Sequence, residues 1–192
     1  MGSWCVSQVT DMSYLFSEKK TFNEDLSGWD VSSVTSMTWM FHGARAFDGN
    51  ISSWNVSSVT DMYAMFLQAK AFTSEIGSWN VSSVRYFGDM FQGAALFNSD
   101  LSYWDVSSAV DMMGMFNGAV SFNSDISSWN VTSVTDMSNM LKHAEAFNQD
   151  LCAWSDKFPY NEASEIFSES GCAFQEDPQL ALQGPFCASA CN

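Results

Sequence analysis

Apolar residues recur along the chain at one fixed interval. Tryptophans stand 25 residues apart in a single series, Trp4, Trp29, Trp54, Trp79, Trp104, Trp129 and Trp154. Series of phenylalanine, valine and leucine or isoleucine keep the same step, with no insertion or deletion. Identities preserved at constant spacing indicate that each unit repeats one geometry and stacks on the next. The sequence therefore predicts a stack of 25-residue coils in which each tryptophan rests on its counterpart from the neighbouring coil.

Within one unit, the spacing of the apolar residues changes. The segment that contains Leu26, Trp29 and Val31 ends with an alternation of apolar and polar residues, which is typical of a short strand. The apolar residues that follow have the spacing of one helical face, namely Val34, Met37, Met40, Phe41 and Ala44. A capping-box pattern, with aspartate in place of glutamate, precedes several of these runs, and glycines follow some of them. These patterns predict an α/β repeat, with short parallel strands on one side of a solenoid and short helices on the other.

One long pattern carries a resemblance to a known family. The units read W-[DN]-V-S-S-V-T-D-M-x-x-M-F-x-x-A-x-x-F-N-x-D-[LI]-S-x-W, and the best copies lie at residues 54–72 and 129–147. This pattern resembles the BspA-like leucine-rich-repeat surface proteins, above all the subgroup first described as a domain of unknown function in bacterial surface lipoproteins. The resemblance covers residues 4–154 and implies a right-handed, leucine-rich-repeat-like solenoid. It also implies a secreted or surface-displayed protein that adheres to or binds other proteins, with no catalytic motif.

The start of the chain departs from that family. The sequence opens inside a repeat and shows neither a signal peptide nor a lipoprotein cysteine. A fragment of a longer protein would explain both departures.

The repeat decays after residue 154, so we expect two parts, a solenoid over 1–154 and a C-terminal cap over 155–192. Four of the five cysteines lie in or beside the cap, Cys152, Cys172, Cys187 and Cys191. Their clustering predicts two disulfides and an oxidising compartment. Of the three pairings that four cysteines allow, we favour Cys152–Cys172 with Cys187–Cys191. A zinc site from the same thiolates is the alternative, although the spacings do not match common zinc motifs.

Composition narrows the classes of function. The 192 residues carry 22 acidic and 7 basic side chains, for a net charge of −15. So acidic a protein is poorly suited to nucleic acid or anionic membranes, which require clustered Lys and Arg. The chain has no uninterrupted apolar stretch long enough to cross a bilayer. His42 and His143 lie about four coils apart and common catalytic motifs are absent, so we expect neither an enzyme nor a bound cofactor.

Polar residues form columns on the outside of the predicted strands. The central column consists of Asp30, Asn55, Asn80, Asp105 and Asn130. These residues could present a flat polar face to a protein or glycan, or they could only hydrogen-bond from coil to coil and stabilise stacking. The uniformity of the face favours the stacking role, because binding sites usually carry aromatic or arginine anchors.

A second column, in the loop before each predicted strand, is acidic. Its members Asp100, Asp125 and Asp150 are candidates for a calcium site, since stacked carboxylates repel and Ca²⁺ prefers oxygen ligands. The alternative is that each aspartate closes a turn of its own backbone. We favour the turn, because the spacing has no calcium-loop signature.

Aromatic residues at variable positions are the most distinctive surface feature. Tyr14, Trp39 and Tyr63 occupy predicted helix positions that hold small or polar residues in later repeats, and Tyr103 is the only large residue of the predicted polar face. Exposed aromatics of this kind can mark a partner site. Packing at an uncapped N-terminal repeat is the competing explanation.

Two functions are compatible with these features. The leading prediction is an extracellular or cell-surface binding or adhesion module that presents a solenoid face to proteins or glycans. The alternative is a structural spacer whose acidic surface keeps it soluble or binds cations. Cys5 lies outside the cap cluster, and we also consider an end-to-end dimer through the N-terminal repeat beside it.

Overall fold

The chain winds into successive coils that stack on one another. The computed structural model describes residues 5–181 and 184–191; Trp4, the first member of the tryptophan series, lies outside them. One isolated parallel bridge joins each coil to the next, in the series Asp11, Ser36, Asp61, Tyr86, Asp111 and Asp136. The bridged residues are 25 apart, so the predicted stack of coils is confirmed.

The predicted α/β architecture is wrong. Within residues 5–181 and 184–191, the one helix is the 3₁₀-helix Cys152–Lys157, and β-pairing is limited to isolated bridges. Neither the predicted strand side nor the predicted helix side of a leucine-rich-repeat-like solenoid is present in this part of the chain. Consecutive turns take the place of both elements.

Each coil is built as a chain of β-turns. In the segment predicted as helical, the Met40 N–H donates to the Met37 carbonyl at 3.2 Å, and the Ala44 N–H donates to the Phe41 carbonyl at 3.0 Å. In the segment predicted as a strand, the Trp29 N–H closes a turn on the Leu26 carbonyl at 3.0 Å. The first and fourth residues of these turns point into the core. Apolar residues three apart therefore arise here from turns, although the same spacing is typical of a helical face.

Left-handed backbone conformation recurs at two positions of every full coil. The first series comprises Tyr14, Trp39, Ala64, Asp89, Gly114 and Asn139, and the second comprises Glu18, Gly43, Gln68, Gly93, Gly118 and His143. Their φ angles lie between 53° and 70°. Such residues interrupt a right-handed helix, and a positive φ at the third residue is the signature of a type II turn. The glycines that sequence analysis assigned to helix ends therefore belong to turns.

Amides that do not close turns donate to the next coil. The N–H groups of Met37, Trp39 and Phe41 donate to the carbonyls of Asp61, Tyr63 and Met65 at 2.8–3.0 Å, and later coils repeat this row of bonds. Bonds also run in the reverse direction, as from the Thr60 N–H to the Thr35 carbonyl at 2.9 Å. Buried peptide groups need partners, and here turns and neighbouring coils supply them jointly.

Aromatic rings form continuous columns through the core. The rings of Phe41, Phe66, Phe91 and Phe116 stack with centroids 5.5–5.6 Å apart and planes within 5° of parallel. Two tryptophan pairs, Trp54–Trp79 and Trp104–Trp129, stack at 6.4 Å. All of these rings are buried. The predicted stacking of tryptophans is confirmed for these pairs.

The tryptophan column also carries hydrogen bonds. The Nε1–H of Trp79 donates to the Ile51 carbonyl of the preceding coil at 3.2 Å, and Trp54, Trp104 and Trp129 make the equivalent bond at 3.0–3.1 Å. Each indole therefore joins two coils by ring contact and by one hydrogen bond. Trp154, beside the cap, is equally buried, but its Nε1–H has no hydrogen-bond partner among the described residues.

The C-terminal segment continues the stack and then turns back on it. The N–H groups of Met137 and Leu141 donate to the carbonyls of Glu162 and Ile166 at 2.7 and 3.0 Å, so the segment takes the place of a next coil. The chain then returns antiparallel, with a bridge between Asp150 and Cys187.

The two predicted disulfides are present, but the favoured pairing is wrong. The bonds join Cys152 to Cys191 and Cys172 to Cys187, instead of Cys152 to Cys172 and Cys187 to Cys191. The antiparallel return explains the difference, because it places residue 187 against the last full coil and carries residue 191 back to residue 152. All four thiols are used in disulfides, so they do not form the alternative zinc site. Cys5 is exposed and free.

Substitution of Gly118 distinguishes a chain of turns from a helix. Gly118 has a φ of 70°, and the atoms nearest to an added Cβ lie 3.8 Å away, so Gly118→Ala introduces backbone strain without a clash. We expect a loss of about 1–2 kcal/mol in the free energy of unfolding, measured by chemical denaturation. In a helix the same change would stabilise by about 1 kcal/mol, so the sign of the effect is decisive.

The indole hydrogen bond has a matched internal control. Trp79→Phe keeps an aromatic ring in the column and removes one of the two donors of the Ile51 carbonyl, which still accepts the Trp54 N–H at 3.1 Å. Trp154→Phe removes a comparable volume and no hydrogen bond to a described residue. We expect Trp79→Phe to be more destabilising by about 0.5–1.5 kcal/mol in denaturant unfolding, the net value of one hydrogen bond. Equal losses for the two variants would show that the bond contributes nothing beyond packing.

Candidate functional site

The outward polar column faces solvent, but its side chains close turns of their own coil. The column comprises Asp30, Asn55, Asn80, Asp105 and Asn130. The Asn55 Oδ1 accepts the Ser57 N–H at 3.2 Å and the Ser57 hydroxyl at 2.7 Å, and the other members accept the N–H two residues on in the same way. Coil-to-coil bonds on this face come from other residues, as from the Ser58 hydroxyl to the Ser32 carbonyl at 2.9 Å.

The same turns keep the aspartates of this column ionised. Hydrogen bonds from the hydroxyl and N–H of Ser32 hold the pKa of Asp30 below its usual value, and Ser107 has the same effect on the pKa of Asp105. Asparagine takes the same position in three other coils, so the turn requires an acceptor oxygen and not a negative charge. The column is accordingly a structural feature of the stack.

The acidic column also forms turns. The Oδ1 atoms of Asp100, Asp125 and Asp150 accept the N–H groups of Ser102, Ser127 and Cys152 at 2.9–3.0 Å. The predicted turn is thus confirmed at all three positions. Within the described residues, no group of three or more His, Cys, Asp or Glu side chains is arranged to hold a metal ion.

Three of the four predicted aromatic site residues come together. Trp39 lies at the centre, with the Tyr14 ring parallel to it at 6.1 Å and the Tyr63 ring tilted at 5.9 Å. The His42 ring meets Trp39 edge-on at 4.7 Å. We name these four residues the aromatic patch. Tyr14 is 60% exposed, and the other three are partly buried.

Tyr103 does not belong to the patch. It is 86% exposed in the fourth coil, on the outward polar face, and no aromatic neighbour contacts its ring within the described chain. Tyr103 therefore lies apart from the other three predicted aromatic residues, on the polar face where the sequence placed it.

Polar side chains of the first coil border the aromatic patch. The Ser17 hydroxyl lies 3.1 Å from the His42 Nδ1, and a Glu18 carboxylate oxygen lies 3.5 Å from the His42 Nε2. The set has the residue types of a serine hydrolase. However, the N–H groups of Ser17, Glu18 and Lys19 all donate to carbonyls of the stack, so they cannot stabilise an oxyanion at Ser17. The arrangement therefore couples the first two coils and offers polar contacts beside the patch.

Tyr63 is held in place by contacts with the next coil along the chain. Its ring crosses Gly88, where an added Cβ would lie 2.9 Å from ring carbons, and its hydroxyl donates to the Asp89 Oδ2 at 3.0 Å. Burial, together with Asp89, raises the pKa of Tyr63 to about 12. Burial also raises the pKa of Asp89 and of Asp111, so ionisation of these carboxyls opposes folding. Tyr63 is thus held rigidly at the end of the patch.

Comparison with known proteins assigns a family. A family described as Mycoplasma protein of unknown function, DUF285, matches residues 1–101 and, in a second match, residues 72–179. The chain belongs to this family. No curated protein matches the chain. Membership of the DUF285 family carries no assigned activity, and the described part of the chain contains no helix with the length and hydropathy that a bilayer crossing needs.

Sequence reasoning on this DUF285 chain missed the polar border of the aromatic patch. It treated His42 only as too distant from His143 to share a site. The available signal was the repeat itself, because Ser17 and His42 are 25 residues apart and therefore occupy the same position in adjacent coils. Reading side-chain pairs at one full period would have placed these two together.

The environment of Tyr63 predicts that its hydroxyl ionises at a higher pH than that of an ordinary tyrosine. The difference between the tyrosinate absorbance of the parent and of Tyr63→Phe isolates this residue during an alkaline titration. We expect a midpoint near pH 12, and we expect Asp89→Asn to move it towards the ordinary tyrosine value of about 10. Asp111→Asn is the matched control, with a smaller shift because Asp111 is the weakest of the causes. A parent midpoint near 10 would contradict the partly buried hydrogen bond between Tyr63 and Asp89.

Proposed function

We propose that this DUF285 protein is an extracellular or cell-surface binding and adhesion module whose aromatic patch contacts a protein or glycan. The observation that supports the proposal is a break in the repeat. The position of Tyr14 and Trp39 is occupied in later coils by Ala64, Asp89, Gly114 and Asn139. Those coils stack equally well, so large rings are not needed there for stability. Clustered tyrosine and tryptophan are the residues that most often dominate binding energy.

The patch is suited to binding because it is already ordered. Trp39 is held between Tyr14 and Tyr63 and meets the edge of His42. A ring that is immobile before binding loses little conformational entropy when a partner arrives. Ser17 and Glu18 add a hydroxyl and a half-exposed carboxylate at the border. The combination offers an apolar contact with polar groups beside it, which suits a protein surface or a sugar.

The proposed location rests on the cap. Two disulfides indicate an oxidising environment, and proteins of such environments are chiefly secreted or displayed outside the cell. The resemblance of the repeat to BspA-like surface proteins supports the same location.

A structural spacer is the second candidate function. The regularity of the stack favours it, because phenylalanine rings repeat at 5.5–5.6 Å across four coils. A rigid rod of this kind sets a length without contacting a ligand. The two candidates differ in one respect, since only the binding module requires the aromatic patch.

Arrays of glycans and of secreted proteins, probed with the labelled protein, test the proposal. For any protein or neutral glycan found, we expect Tyr14→Ala with Trp39→Ala to weaken binding at least about tenfold, because truncating a central aromatic anchor costs more than about 1.4 kcal/mol. Tyr103→Ala is the matched control, as it removes an exposed tyrosine elsewhere and should change nothing. Circular dichroism and denaturant midpoints verify that the variants fold.

Two outcomes would contradict the proposal. If Tyr103→Ala abolishes binding and the double variant does not, the contact surface lies on the outward polar face. If neither array yields a ligand at high protein concentration, the spacer function is supported instead.

A further inference from the structure

The basic residues of this acidic protein are concentrated on one edge of the stack. Lys20, Arg45 and Lys70 occupy the same position in the first three coils, and Lys142 lies on the same edge in the sixth. The edge segments of the third to fifth coils, residues 67–70, 92–95 and 117–120, contain no carboxylate, although the chain has 22 acidic residues. This edge is therefore distinct in charge from the acidic columns around it.

A cavity of about 400 Å³ opens on this edge. Its lining includes Gln68, Lys70, Gln92 and Asn117 around two glycines, and we name it the amide notch. Gly93 and Gly118 both have left-handed φ angles, of 67° and 70°. The Gln68 side chain lies over Gly93, whereas the space above Gly118 is open. The size is within the range of small-molecule sites.

The polar groups of the notch are largely uncommitted. Gln92 Nε2 donates to the Asp89 Oδ1 at 2.9 Å, which orients its amide. Within the described part of the chain, the side-chain amides of Gln68 and Asn117 and the ammonium group of Lys70 have no hydrogen-bond or ion-pair partner. Three polar side chains that are free to bond to a ligand are thus grouped around one open space.

We propose that the amide notch binds an anionic sugar, a hexose unit that carries a carboxylate or a sulfate group. Side-chain amides both donate and accept hydrogen bonds, so Gln68 and Asn117 match the hydroxyls of a sugar ring. The ammonium group of Lys70 pairs with the anionic substituent. The notch has no aromatic anchor of the kind that protein partners use. The ligand is short, because Glu18 and Glu145 return the edge to negative charge at either end.

This inference concerns a site separate from the aromatic patch. It rests on the proposed extracellular binding function only in the sense that such sugars occur on cell surfaces. The two sites are separable by mutation, because the notch lies in the third to fifth coils and the centre of the patch lies in the second.

Amide nuclear magnetic resonance detects the binding directly. Side-chain amide signals of Gln68, Gln92 and Asn117 are followed as methyl glucuronide, glucose 6-sulfate or methyl glucoside is added to the full chain. We expect shifts of these signals with an anionic sugar and at least tenfold weaker binding of the neutral glucoside. Binding of the glucuronide alone assigns the carboxylate source, and binding of glucose 6-sulfate alone assigns the sulfate source.

Four variants make the result specific. Lys70→Gln removes the cation, and Gly118→Asn fills the open space with a residue that tolerates left-handed φ; each should weaken binding at least tenfold. Lys157→Gln removes an exposed cation of the cap and serves as the matched control. Gly118→Ala adds only a methyl group at the same position, with more backbone strain than asparagine, and should retain most of the affinity.

The proposal is overturned if the three amide signals do not move. It is also overturned if inorganic sulfate produces the same shifts with the same affinity as the anionic sugars, because the hydroxyls then contribute nothing. The Tyr14→Ala, Trp39→Ala double variant should bind the sugar as the parent does. A failure of the aromatic patch to bind any partner would therefore leave this result unchanged.

Discussion

The fold depends on how the backbone amides of each coil are shared. Some close β-turns within the coil, and others donate to carbonyls of the next coil, as Met37 and Phe41 do to Asp61 and Met65. Within residues 5–181 and 184–191, this division satisfies buried peptide groups with almost no regular secondary structure. It also fixes the side chains, because the turn-forming residues point inward and build the aromatic columns. Packing and hydrogen bonding therefore impose the same period on the chain.

The sequence was sufficient to predict the stack but not its local structure. The 25-residue spacing identified the coils and the buried columns, and the clustering of cysteines indicated the two disulfides. The helix prediction failed because apolar residues three apart occur both on a helical face and at the ends of successive turns. Residues such as Gln68 and His143 share the left-handed position with glycines, and nothing in their identity indicates it. The disulfide pairing depended on the antiparallel return of the last segment, and no local sequence pattern indicates that return.

The candidate site was predicted in part, and for a clear reason. Tyr14, Trp39 and Tyr63 depart from the repeat, and such departures are visible in the sequence. The contacts of Tyr14 and Tyr63 with Trp39 follow from the stacking of adjacent coils, because the spacing between coils is close to the spacing between stacked rings. The amide notch was not predicted, because Gln68 and Asn117 resemble ordinary surface residues until the coils bring them to one cavity. In the outward and acidic columns, by contrast, the polar residues that the sequence offered as candidate sites close turns of their own coil.

The row of bonds between coils has a consequence for how proteins of this kind change in length. A single inserted residue would displace the donors of a coil from their acceptors and rotate core side chains towards water. A duplication or loss of one complete 25-residue unit would leave each such bond with an equivalent partner. Evolution of this architecture is therefore expected to proceed in whole units, so that the number of coils varies freely while the size of a coil does not.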